Sequence, residues 1–121
     1  MDGHGIRFGR LAAGIGVSDM ARALAFYTGV LGFEAVFQNG DPVIFTILER
    51  DAAELHLLLA PGHRGPAFNV AHLFVDDVDA LHASCVAAGV TIVKTLADKD
   101  YGMRAFVIAD PDGNCIDIGA P

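Results

Sequence analysis

Two short segments, Val17-Ser18-Asp19-Met20 and Val75-Asp76-Asp77-Val78, stand at matching places in two halves of the chain that share one order of elements. A degenerate duplication of this kind restricts the fold to two similar modules joined in tandem. In the first half Leu11 to Val17 reads as a strand, and Ser18 and Asp19 supply N-cap chemistry for a helix. Met20, Ala23, Leu24, Tyr27, Val30 and Leu31 recur at helical spacing, and Gly32 is placed to end the helix in a left-handed cap. Three strand-like runs follow, Phe33 to Gln38, Val43 to Leu48 and Glu54 to Ala60, separated by Asn39-Gly40-Asp41-Pro42 and by Arg50-Asp51.

The turn formers Pro61-Gly62-His63-Arg64-Gly65-Pro66 make a linker, after which the pattern restarts. A strand over Val70 to Val75 leads through Asp76 and Asp77 into a helix with the apolar stripe Val78, Leu81, Cys85 and Ala88, closed by Gly89. Runs Val90 to Lys94, Arg104 to Ala109 and Cys115 to Ile118 complete the half. The last two are joined by Asp110-Pro111-Asp112-Gly113-Asn114, where proline presets one turn dihedral and glycine accepts positive φ. The expected fold is α+β: one domain over residues 1–121, with βαβββ modules at about 11–60 and 67–121 joined by 61–66.

Composition narrows the function. At 53% hydrophobic and 19% charged residues, the chain is the reverse of a disordered one. A chain of this length buries roughly two-thirds of its unfolded surface, so any metal would serve function and not stability. The net charge of −7 repels phosphate backbones, which argues against nucleic acid and favours cationic ligands. No basic segment precedes a continuous apolar run, and glycines interrupt Leu11 to Val17, so neither signal peptide nor membrane span is expected and a cytoplasmic location follows. Cys85 and Cys115 form no CxxC motif and are expected to be buried, reduced thiols.

The segments Val17-Ser18-Asp19-Met20 and Phe26-Tyr27-Thr28-Gly29-Val30-Leu31-Gly32-Phe33-Glu34 resemble the opening module of the vicinal oxygen chelate superfamily of glyoxalases, bleomycin resistance proteins and extradiol dioxygenases. Asp77-Val78-Asp79-Ala80-Leu81, Ala88-Gly89-Val90, Gly102-Met103-Arg104 and Asp110-Pro111-Asp112-Gly113-Asn114 resemble its closing module in order and spacing. The resemblance runs from Leu11 to Ile118. It implies curved mixed sheets forming half-open funnels, with sites between paired modules and often across a homodimer interface.

In the metal-dependent pattern that the resemblance implies, a His stands seven residues before each cap aspartate. Here those places hold Ala12 and Val70. The two carboxylate places hold Glu54 and Asp117, and two carboxylates alone make a poor cage for zinc or nickel. The leading expectation is therefore a metal-free small-molecule binder of the bleomycin-resistance type with no catalytic residue, because such proteins place apolar or aromatic residues at those positions and sequester cationic drugs. His56, His72, Phe74, Tyr101 and Arg104 are the expected ligand contacts, with Phe37 and Phe45 as further aromatic candidates. Plain core packing is the alternative for each aromatic, and a structural ion pair is the alternative for Arg104.

Because strand residues two apart share a face, His56 lies beside Glu54 and His72 beside Val70. A displaced Zn, Ni, Mn or Fe site from Glu54, His56, His72 and Asp117, serving a lyase, isomerase or thiol transferase, is the alternative reading. A third is an interaction module that uses its sheets only as a dimer scaffold. Asp76, Asp77 and Asp79 are explained by helix capping, and His4, His63 and His82 are assigned no chemistry. The chain is thus expected to be a cytoplasmic homodimer that binds a planar or cationic organic molecule in an interface groove, as in antibiotic resistance.

Overall fold

The computed structural model describes residues 5–121, so His4 lies outside the described residues. The first module comprises β1 (Ala13–Val17), α1 (Met20–Gly29), β2 (Glu34–Asn39), β3 (Phe45–Arg50) and β4 (Ala53–Leu59). The second comprises β5 (Asn69–Phe74), α2 (Val78–Ala87), β6 (Thr91–Asp98), β7 (Arg104–Ala109) and β8 (Cys115–Ala120). Each module builds one open, mixed, four-stranded sheet, in the orders β1-β4-β3-β2 and β5-β8-β7-β6. The outermost pairs β1/β4 and β5/β8 are parallel, and all other pairs are antiparallel. The fold is the α+β pair of βαβββ modules expected from the duplication. Among the described residues no helix is long and apolar enough to cross a membrane.

Both helices start as the cap residues dictate: the Asp19 carboxylate accepts from Arg22 N and that of Asp77 from Ala80 N, each at 3.0 Å. Each sheet buries one face under its own helix. Ile15, Val17, Leu48 and Leu57 pack against Tyr27 in the first module, and Phe106, Ile108 and Ile118 pack against α2, with Cys85 fully buried, in the second. Burying each such side chain contributes roughly 1.5–3 kcal/mol. Cys115, expected to be buried, is only half-buried, because on β8 it alternates with buried Ile116 and falls on the opposite face.

Several strand boundaries depart from the expectation: β3 covers Phe45–Arg50 where Val43 to Leu48 is expected, and β8 continues past Ile118 to Ala120. β1 begins at Ala13, and residues 5–11 before it are exposed. β6 continues to Asp98, well beyond Lys94, through irregularities between Ile92 and Lys94 and between Lys94 and Ala97. Such bulges break the alternation of side chains, so the period of two that marks a strand fades there.

The modules are locked together by a buried polar joint. The β7–β8 turn reaches across to the start of α1, where the Asp112 carboxylate accepts from Ser18 N and Arg22 Nη2, both at 2.9 Å, and from the Ser18 hydroxyl. Tyr27 Oη donates to Asp110 at 2.8 Å, and Asn114 Nδ2 donates to Gly16 O at 2.9 Å and to Asp110 at 2.8 Å. The linker closes over this turn: Gly65 N donates to Asp112 O, and His63 Nε2 lies 2.9 Å from Asn114 Oδ1. A side chain at position 65 would collide with the Gly113 carbonyl, which explains a glycine there. Burial tends to raise the Asp112 pKa, but the hydrogen bonds from Ser18 and the Arg22 charge outweigh it and hold the carboxyl below its usual range. Burial first, and the neighbouring Asp110 second, push the Tyr27 phenol far up, so it remains a donor.

Candidate ligand-binding faces

The face of each sheet turned away from its helix is open, and the alternation of strand residues decides what it presents. On β4 the buried residues are Leu55 and Leu57, which places Glu54 and His56 on the open face. His56 Nε2 lies 2.7 Å from Glu54 Oε2, and its ring meets Phe45 edge-on with centroids 5.4 Å apart. Phe37 continues the row at 6.2 Å from Phe45. Arg10 completes this face: its Nη2 and Nε donate to Glu54 Oε1 at 2.7 and 3.1 Å, and Nη2 also approaches Glu49 at 3.4 Å. The bond from His56 first, then those from Arg10, hold the Glu54 carboxyl below its usual range. Sequence reasoning missed Arg10, which precedes β1 in a stretch without periodic pattern.

On the second module, His72 and Asp117 are register partners across β5 and β8, with His72 Nδ1 3.0 Å from Asp117 Oδ2. A carboxylate on Nδ1 orients the imidazole and leaves Nε2 to face outward. The pair borders a cleft of about 560 Å³ together with Phe74, Tyr101, Met103 and Gly119. Phe74 and Tyr101 are 72% and 67% exposed, so they are not the core residues of the alternative reading. Three of the five expected contacts, His72, Phe74 and Tyr101, thus converge.

Arg104 does not join them. On β7 it shares a face with Phe106, which packs on His82 of α2, while Ala105 faces the cleft. Its guanidinium instead holds Asp79 of α2 (Nη2–Oδ1 3.0 Å) and Asp98 (Nη1–Oδ1 3.3 Å), and Arg104 holds the Asp79 carboxyl below its usual range. Arg104 thus makes the ion pair weighed as its alternative, and Asp79 serves that pair. His56 also stands apart, on the other module.

A third cleft, of about 370 Å³, lies between the modules and gathers Ala12, Glu54, Val70 and His72 over Leu31, Phe33 and Leu73. Three of the four positions counted from the metal-dependent pattern therefore do meet, but two of them carry no donor. The displaced set divides into two pairs, Glu54 with His56 and His72 with Asp117, and no group of three such donors meets among the described residues. With Glu54 already holding a guanidinium, the displaced set Glu54, His56, His72 and Asp117 as placed in one chain is a poor cage for a divalent metal.

The comparisons agree with this architecture. Residues 7–118 match the Glyoxalase/Bleomycin resistance protein/Dioxygenase superfamily, and the chain belongs to that family. A solved member of the same superfamily from Sphaerobacter thermophilus is 29% identical, covering 96% of this chain and 99% of that one, with a TM-score of 0.78. TnmS3, an antibiotic binding protein from Streptomyces sp. CB03234, is 24% identical over 96% of this chain and 98% of its own, with a TM-score of 0.77. The uncharacterized protein Mb0911c of Mycobacterium bovis is 44% identical over 50 residues, which span 41% of this chain and only 33% of that protein.

Proposed function

We propose that this protein is a metal-free binder that sequesters a planar or cationic organic molecule, acting in the cytoplasm as a homodimer. The observation that carries the reading is the second-module cleft, where two largely exposed aromatic rings stand beside the His72–Asp117 pair. Solvent-facing rings of this size are costly unless something stacks on them, and a carboxylate-backed imidazole favours a donor or a positive charge. The acidic net charge raises the local concentration of such a ligand. TnmS3, whose fold this chain shares, is described as antibiotic binding, in keeping with a role in drug resistance. Pairing of two copies would cover the open faces and set the Phe37–Phe45–His56 row of one against the His72 cleft of the other, which a single chain keeps apart.

Thermal-shift screening of planar cations beside matched anions, at low and high salt, tests this reading. Ligand at about 100 times its dissociation constant adds roughly 2.7 kcal/mol, a plainly visible shift. Cations are expected to win, salt to weaken only part of the effect, and Phe74→Ala and Tyr101→Ala to remove the salt-resistant part. A preference for anions, or indifference to both substitutions, overturns it. Sedimentation as a monomer at micromolar concentration removes the shared groove.

A further inference from the structure

The internal repeat places Ser18 against Asp76, Arg22 against Ala80 and Tyr27 against Cys85. In the first module the β1–α1 joint is filled by the five-residue turn Asp110–Asn114, which docks through Asp110 and Asp112. Its counterpart, the β3–β4 turn, has only Asp51 and Ala52, and Asp51 is held at positive φ with its carboxylate in solvent. This shorter turn leaves the β5–α2 joint open as a cleft of about 660 Å³, floored by Leu31, Phe33, Leu73 and Leu81.

The chemistry of the two joints is opposite. The filled joint offers hydroxyl, guanidinium and phenol donors to carboxylates. At the corresponding places the open joint has the carboxylate of Asp76, the methyl of Ala80 and the buried Cys85, and its rim adds Asp51 and Asp77. Asp77 spends one oxygen on the Ala80 amide, and Asp79 turns away to Arg104. Among the described residues the one cation lining the cleft, Arg50, donates to Leu31 O at 2.8 Å and lies 4.0 Å from Asp51, which offsets its charge. A joint that takes carboxylates in one module is thus complementary to a cation with an apolar body in the other.

We infer that this cleft, which adjoins the open-face cleft at Leu73 and Phe74 but draws its charge from other residues, is a second ligand site that takes a small amphipathic organic amine. The ammonium sits among Asp51, Asp76 and Asp77, and the apolar body lies on Leu31, Phe33 and Leu81.

The test uses the full chain with 4-phenylbutylamine as probe and 4-phenylbutyrate as its anionic match, followed by amide chemical-shift mapping and titration. The amine is expected to bind at least about tenfold more tightly than the acid, with shifts centred on the β3–β4 turn and the first two turns of α2. Asp51→Asn combined with Asp76→Asn should weaken it about fivefold or more. Ala80→Trp should block it, and the asparagine pair carries the test if that variant fails to fold. Tyr101→Ala and Met103→Ala should leave it unchanged, while their effect on planar cations separately scores the open-face reading. Equal binding of the acid, no shifts at millimolar amine, or binding lost with Tyr101→Ala but indifferent to Asp76 overturns the inference.

Discussion

Asn114→Ala is the sharpest probe of the joint that holds the two modules together. Asn114 is 1% exposed, and its side-chain amide bonds to both modules and the linker, through Gly16 O, Asp110 Oδ2 and His63 Nε2. Neutral hydrogen bonds contribute about 1 kcal/mol net each and one to a charged carboxylate about 1.5–3, so truncation should cost about 3.5–5 kcal/mol. The Gly16 carbonyl would be left without its donor, whereas Asp110 would keep Tyr27 and two backbone amides. Against a net stability of about 5–15 kcal/mol for a domain, that is a large fraction. Urea unfolding should show the midpoint falling by more than about 1 M at an unchanged slope, because the surface exposed on unfolding is the same. A loss below about 1 kcal/mol at unchanged slope would refute the argument that this amide is a principal tie between the modules. Tyr27→Phe should be non-additive with Asn114→Ala, since both donors serve Asp110.

The depressed pKa of Asp112 fixes the sign of one pH effect. Its stabilisation is fully present above the ordinary aspartate value of about 3.9 and is lost as pH falls through the lower folded value. Asp112→Asn should therefore flatten the acid side of the stability profile, and an unchanged acid limb would exclude this contribution. Arg104→Ala removes an exposed ion pair, so it should cost under about 1 kcal/mol and leave ligand-induced thermal shifts intact. A shift abolished in Arg104→Ala would return that residue to the ligand site.

Hydrophobic period, cap residues and glycine placement were enough to read every helix and strand of this protein, because each depends on neighbours a few residues away. The repeat of Val17–Met20 in Val75–Val78 carried that local reading to the two-module architecture and, with the ordered motifs, to the family. The same alternation placed His56 beside Glu54, since residues two apart on a strand share a face whatever the fold. It could not pair His72 with Asp117, which meet only through the parallel register of β5 on β8. Nor could it show that Arg104 points at α2, that Arg10 returns to Glu54, or that the Asp110–Asn114 turn is an inter-module tie as well as a hairpin. These contacts join residues far apart in the chain, and their free energies depend on how sheets and helices pack in space. The filled joint and the open cleft likewise follow from turns of unequal length that the tertiary structure sets against equivalent surfaces. Local chemistry is written in the order of residues, whereas the juxtaposition of distant surfaces is decided only when the core closes.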